Sequence, residues 1–256
     1  MKLAIVLPTY NEVENIAAMV EALLGLQLDL SIIIVDDNSP DGTGAVADRL
    51  AGEQPARVEV LHRPCKNGLG RAYKDGFLRA LEGDADLVGQ MDCDFSHSPQ
   101  YLTEMVNLLK ESEADVVIGS RYVPGGELDE RWSWWREMLS ASANVYARAI
   151  LRLHALDVTA GFKVWRREVL EAIDLERVIS NGYIFQVEMT YLTQKLGFRH
   201  REIPIYFEDR RIGQSKMDIP VKLEAIYRVL ELLWKHRGIE RAVVKATPST
   251  HTPFSR

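Results

Sequence analysis

Cysteine is scarce. There are two in 256 residues, Cys65 and Cys93, and their spacing makes neither a metal-binding pair nor a disulfide framework. Reduced thiols and a cytoplasmic setting are the expectation. Long apolar runs are missing too. No uncharged segment approaches the roughly 20 residues that a bilayer span requires, and Met1-Lys-Leu-Ala-Ile-Val-Leu-Pro8 is too short an apolar stretch for a signal peptide. No G-x-G-x-x-G turn follows that first run, which argues against a dinucleotide-binding dehydrogenase or epimerase. Internal repeats and Ser/Gly linkers are absent, so one continuous domain with appendages is expected. Nor is there an excess of positive charge: the formal net charge of −6 argues against a nucleic-acid partner.

What is present is ordinary for a globular protein, with 46% hydrophobic and 27% charged residues. The first half alternates strand and helix patterns, the mark of an α/β layer with a mostly parallel sheet flanked by helices. Residues 3–7 read as a strand stopped by Pro8, and residues 13–26 carry Ile16, Met19, Val20, Leu23 and Leu24 at helical spacing. Strands follow at 31–35, 57–61, from 87 and at 114–119, with helices to about 50, over 70–81 and to about 111. The second half is less regular. A helix is expected over 138–153, a strand over 203–207, and a last helix from Pro220 with Leu223, Ile226, Tyr227, Leu230, Leu233 and Trp234 on one stripe. The expected division is a main α/β domain over 1–218, an amphipathic helix over 219–241 and a flexible tail over 242–256.

Asp92 and Asp94 carry the most chemistry. They stand in Leu87-Val-Gly-Gln-Met-Asp-Cys-Asp-Phe95, and Ser98-Pro99 reads as the next helix start, with Ser98 as N-cap. A strand thus delivers two carboxylates into a loop at its C-terminal end, where open α/β sheets bind ligands. Paired anions with oxygen ligands suit Mg²⁺ or Mn²⁺, and such an ion commonly partners a diphosphate. A solvated acidic turn is the plain alternative. An EF-hand starting at Asp92 would need Gly and Glu where His97 and Thr103 stand. In a phosphatase of the haloacid dehalogenase type the second acidic pair comes later in the chain, whereas Asp36-Asp37 comes earlier. Two more loops open on the same sheet edge. In Pro8-Thr-Tyr-Asn-Glu12, Tyr10 can stack on a base and Glu12 can accept hydrogen bonds, or the segment simply caps a helix. Asp36-Asp37 can bind base or ribose, or form a turn into Pro40-Asp-Gly42.

In this order and spacing, Pro-Thr-Tyr-Asn-Glu, Val-Asp-Asp-Asn-Ser-Pro-Asp-Gly-Thr and Met-Asp-Cys-Asp-Phe-Ser-His resemble family 2 glycosyltransferases of the GT-A fold, most closely the dolichol-phosphate (polyprenol-phosphate) mannosyltransferases. The likeness continues through Gly119-Ser-Arg-Tyr122, Thr159-Ala-Gly-Phe-Lys-Val-Trp-Arg166, Gly182-Tyr-Ile-Phe-Gln-Val-Glu188 and Asp209-Arg-Arg-Ile-Gly-Gln-Ser-Lys216. It implies that Pro8, Tyr10, Glu12, Val35 and Asp37 line a guanosine pocket. It also implies that Asp92 and Asp94 hold the metal, with Cys93 giving backbone contact and Ser96 standing as a shorter third ligand. Arg121, Arg210 and Lys216 would contact the donor or the phosphates; Asp94, Arg210 and Lys216 would be the catalytic set. The implied reaction is inverting transfer of mannose from GDP-mannose to a polyprenyl or dolichyl monophosphate. Rival readings are a UDP-sugar donor (glucose or GlcNAc) and a sugar-1-phosphate nucleotidyltransferase, though the latter would show a Gly-rich loop after the first strand. A lipid acceptor implies peripheral membrane contact on the cytoplasmic face, with or without a separate membrane-anchor subunit. Arg131-Trp-Ser-Trp-Trp-Arg136 and the last helix are the segments suited to it.

Overall fold

The computed structural model describes residues 1–182, 184–209 and 219–239. Strands β1 (Leu3–Thr9), β2 (Leu30–Asp36), β3 (Val58–His62), β4 (Leu87–Gln90) and β5 (Val116–Ser120) alternate with helices α1 (Ile16–Leu24), α2 (Thr43–Glu53), α3 (Leu69–Glu82) and α4 (Tyr101–Glu111). There follow β6 (Glu127–Leu128), α5 (Trp134–Leu151), β7 (Lys163–Arg166), α6 (Arg167–Ala172), a 3-10 turn (Leu175–Arg177), α7 (Ile184–Lys195), β8 (His200–Pro204), β9 (Tyr206–Phe207) and α8 (Ile219–Lys235). Seven strands form one sheet in the order β3-β2-β1-β4-β7-β5-β8, and β6 pairs with β9 apart from it. Every pair in the large sheet is parallel except those of β7, which runs antiparallel between β4 and β5.

Strand side chains alternate between the two faces, so each strand feeds two cores. Leu3, Ile5, Leu7, Ile32 and Ile34 meet Met19, Leu23, Leu102 and Met105 of α1 and α4 on one face. Ala4, Val6, Ile33 and Val35 meet Tyr73, Phe77 and Phe185 of α3 and α7 on the other. This is the expected layered α/β architecture. α3 lies very close to the sheet: a Cβ on Gly76 would stand 2.3 Å from Val6 Cγ1 and 3.0 Å from Val35 Cγ2. Only a residue without a side chain allows that approach.

Several boundaries differ from expectation for identifiable reasons. β1 runs through Pro8 to Thr9. Its pairing with β4 ends at Val6, so one side of the strand is already an edge where proline is tolerated. α1 begins at Ile16 because residues 13–15 form a turn. Ser98 is not an N-cap: the amides of Tyr101 and Leu102 donate to Ser98 O and Pro99 O, a tight turn that delays α4 to Tyr101. α5 starts four residues earlier than expected, taking Trp134 and Trp135 into its first turn. The expected strand over 203–207 is two strands, β8 on the main sheet and β9 on the small one. In α8 apolar side chains occupy both faces: Val229 and Leu232 are buried, whereas Tyr227, Leu230, Leu233 and Trp234 are exposed. α5 packs against α8 and also exposes Trp134, Trp135, Met138 and Val145. Among the described residues no helix is long and apolar enough to cross a membrane. The expected tail over 242–256 lies outside the described residues.

Candidate active site

The parallel register brings the C-terminal ends of β1, β2 and β4 to one edge. Thr9 pairs with Asp36, and the Asp37 amide donates to Thr9 O (3.0 Å). The loops beyond are tied together, since Glu12 N donates to Thr43 Oγ1 (2.9 Å) and Asn15 Nδ2 to Glu12 Oε2 (2.8 Å). Asp36 is buried and accepts from Thr9 Oγ1, Ser39 N and Ser39 Oγ, which makes it the structural acid of the pair. Asp37 is buried against the guanidinium of Arg63, whose Nε also donates to Asp75. Burial pushes the Asp37 carboxyl above its ordinary range, against the pull of Arg63. The ammonium of Lys66 stands 3.9 Å from the centre of the Tyr10 ring. Pro8 is half-buried at the mouth, and the Val35 side chain lies wholly in the core.

The acidic loop follows β4 directly. Tyr73 of α3 donates its hydroxyl to Asp92 Oδ1 (2.8 Å), and burial, then Asp92, raises its phenol well above the usual range. Asp94 is buried; the backbone amide (3.0 Å) and hydroxyl of Ser96 both donate to its Oδ1. Phe95 between them takes a left-handed backbone, φ 60°, the strain that lets this tight turn close. Ser96 thus orients Asp94 in this structure. The Cys93 side chain turns into the core, where burial raises its thiol well above the usual range. His97 is packed between Phe162 and Phe207, and burial lowers its pKa to about 4, so the ring is neutral at neutral pH.

Arg121, at the end of β5, forms a buried two-pronged pair with Asp157: Nε to Oδ2 (2.7 Å) and Nη2 to Oδ1 (2.8 Å). Its Nη2 also reaches Thr159 Oγ1 (2.7 Å), and its backbone amide donates to Asp157 Oδ2 (3.1 Å). Burial opposes both charges and each partner outweighs it, holding Asp157 below the usual carboxylate range and Arg121 above its own. Nη1 has no protein partner among the described residues, which leaves two N–H groups for a ligand oxygen. Arg210 and Lys216 lie outside the described residues. The residue before them is anchored: Asp209 N donates to Asp129 Oδ2 (3.0 Å), and Arg136 Nη1 reaches Asp209 Oδ1 (3.0 Å).

The sequence reading assigned no role to Gln90, Lys163 and Gln186, which form a buried polar knot beneath the acidic loop. Gln90 Nε2 donates to Gly161 O (2.9 Å) and Gln186 Oε1 (2.6 Å), and Lys163 Nζ donates to Gln186 Oε1 (3.0 Å) and Gln186 O (3.2 Å). Burial lowers the Lys163 pKa to about 7. A lysine inside Phe-Lys-Val-Trp was the available signal, since a lysine on a buried strand needs a partner.

Can these residues hold a divalent ion? Among the described residues no group of three or more His, Cys, Asp or Glu side chains gathers as a ready-made cage. Two carboxylates at a sheet edge are nevertheless what Mg²⁺ or Mn²⁺ uses when phosphates and water complete the shell. The donor set therefore fits an ion that arrives with a diphosphate, and Asp92 and Asp94 are the residues that would hold it.

A mostly parallel sheet that carries an acid pair beyond β4, beside the joined loops after β1 and β2, is a frame suited to a nucleotide-sugar transferase. The chain belongs to glycosyl transferase family 2, whose profile matches residues 4–174, and it is a glycosyltransferase. It is 44% identical over 239 residues to the polyprenol monophosphomannose synthase of Mycolicibacterium smegmatis, covering 93% of this chain and 89% of that protein. Against the undecaprenyl-phosphate mannosyltransferase of Micrococcus luteus the identity is 43% over 229 residues, with 90% and 93% covered. The fold is similar to mannosyl-3-phosphoglycerate synthase from Rubrobacter xylanophilus, with TM-score 0.68 and 19% identity over 97% of this chain and 79% of that one. It is also similar to glucosyl-3-phosphoglycerate synthase from Mycobacterium tuberculosis in complex with Mn²⁺, UDP and glucosyl-3-phosphoglycerate, with TM-score 0.62 and 18% identity over 94% and 81%.

Proposed function

We propose that this protein transfers mannose from GDP-mannose to a polyprenyl monophosphate, with inversion, and requires Mg²⁺ or Mn²⁺. The observation that carries the reading is the acid pair of Asp92 and Asp94 at the strand-end edge, in a chain 43–44% identical to two polyprenyl-phosphate mannose enzymes over at least 90% of its length. Pro8, Tyr10, Glu12, the Val35 backbone and Asp37 would receive guanosine. Arg121 through Nη1, with Arg210 and Lys216, would face the phosphates, where arginine offers a planar fork and lysine a mobile charge. A metal held by Asp92 and Asp94 would neutralise charge on departing GDP.

The nucleophile is an oxygen of the acceptor's phosphate, already ionised at neutral pH because its second pKa is near 6. It forms a bond to the anomeric carbon as the bond from that carbon to the GDP oxygen breaks, and the electron pair leaves with GDP. No general base is needed. The neutral, enclosed ring of His97 is consistent with that. The acceptor is a lipid, and the exposed Trp134, Trp135, Tyr227 and Trp234 on the packed α5 and α8 support peripheral contact with a membrane.

Incubation with GDP-mannose or UDP-glucose, polyprenyl phosphate and Mg²⁺ or Mn²⁺, followed by mass spectrometry of the lipid, tests the reading. The expected product is polyprenyl phosphate mannose from GDP-mannose alone, lost on chelation and in Asp92→Ala. Transfer from UDP-glucose instead, or full activity in Asp92→Ala, overturns it.

A further inference from the structure

The knot beneath the acidic loop has one open end. Gln90 Nε2 faces the carbonyl of Gly161, which can only accept, so it is a donor and the Gln186 atom it also reaches must be the amide oxygen, to which Lys163 Nζ donates as well. The orientation of the Gln186 amide is therefore fixed, and its Nε2 points the other way. Gln186 is 3% exposed, and its Nε2 has no hydrogen-bond partner among the described residues.

Gly161 lies beside that nitrogen. A Cβ built on Gly161 would stand 3.9 Å from Gln186 Nε2, 3.7 Å from Asp92 Oδ2 and 3.5 Å from His97 Cε1. An amide donor, a carboxylate acceptor and an imidazole edge thus surround one small gap beside the acid pair. The glycine leaves that gap open. A hydroxyl both donates and accepts at a single oxygen, so one such group can meet Asp92 Oδ2 and Gln186 Nε2 together. A phosphate oxygen only accepts, so it can take the Gln186 N–H but reaches Asp92 only through a bound cation. A buried donor left without its partner costs more than the bond gains, which is how such sites reject an analogue lacking the group.

We propose that Gln186 Nε2, fixed by Lys163 and Gln90, donates to a hydroxyl of the donor's hexose in the gap kept open by Gly161, making Gln186 a sugar-reading residue. This rests on the glycosyl-transfer reading above. Lys163 and Gln90 are positioning residues for that amide.

The test is a cycle of functional-group deletions. Wild type, Gln186→Met and Gly161→Ala are assayed with GDP-mannose and with analogues lacking one mannose hydroxyl each, and GDP affinity is measured by calorimetry. Gly161→Ala leaves the knot untouched and meets its neighbours at ordinary contact distance, so it controls for misfolding of Gln186→Met. Both variants should bind GDP within about twofold of wild type. Both should lose about tenfold or more in kcat/KM for GDP-mannose, as one hydrogen bond in a closed site is worth. One deoxy analogue should lose about tenfold with wild type and nothing further with Gln186→Met. If every deoxy analogue loses the same factor in Gln186→Met as in wild type, or if both variants transfer mannose normally, Gln186 does not read the sugar. If wild type transfers nothing from GDP-mannose, the donor assignment fails instead, and the same cycle is run on whichever hexose donor the lipid analysis identifies.

Discussion

Replacing Asp157 with Asn keeps the shape of the side chain and removes only its charge. The carboxylate has 0% side-chain exposure and gathers four donors: Arg121 Nε, Nη2 and backbone N, and Thr159 Oγ1 at 3.1 Å. Arg121 is itself 9% exposed at the side chain, so its charge cannot reach water once Asp157 is neutral. Breaking a buried pair from one side costs about 3–5 kcal/mol. At about 2–4 °C per kcal/mol in a chain of this size, Tm should fall by roughly 6–20 °C. Adding Arg121→Met removes the orphaned cation and should return more than about 1 kcal/mol, because the penalty lies in the unpaired charge. Because Arg121 holds the folded pKa of Asp157 below its unfolded value of about 3.9, this stabilisation is complete above that value and lost as pH falls through the folded pKa. Urea unfolding of the single and double variants at pH 7 measures these quantities. Asp157→Asn within about 1 kcal/mol of wild type, or a double variant weaker than the single, would refute the reasoning.

Lys163 gives a prediction of the same sign in a more alkaline window. Its folded pKa of about 7 lies below its ordinary 10.5, so between those values the unfolded chain binds more protons and stability rises with pH. Relative to Lys163→Met, wild type should gain up to about 1.4 kcal/mol per pH unit above pH 7, and parallel stability curves for the two proteins would refute this. For the membrane reading, flotation with anionic vesicles at low salt should recover the wild-type protein, and Trp134→Ala with Trp135→Ala should reduce recovery several-fold. These indoles stack at 3.9 Å and are 61% and 60% exposed, so removing them disturbs little of the core.

The first five strands were readable because each is a short apolar run ending in turn residues, and the strand-end acids stand out against them. β7 was not, for its four residues include Lys163 and Arg166, and nothing local announces that such a strand is central. α7 escaped because Phe185 through Thr193 are buried on every side, so the helix has no polar stripe to set its period. At the site the same split recurs. Asp92 and Asp94 declare themselves by adjacency. The partnership of Arg121 with Asp157, 36 residues on, and that of Gln90 with Gln186, 96 residues on, exist only once the chain is folded.

The antiparallel strand between β4 and β5 also dictates an order of events during synthesis. When β5 leaves the ribosome, the slot it must share with β4 is still empty, because the filler is encoded more than forty residues downstream. Until then a nascent chain carries two raw strand borders in its middle, the kind of surface that recruits neighbours and chaperones. A stalled or nicked product ending before residue 163 should therefore aggregate, although it already carries both acids of the cleft.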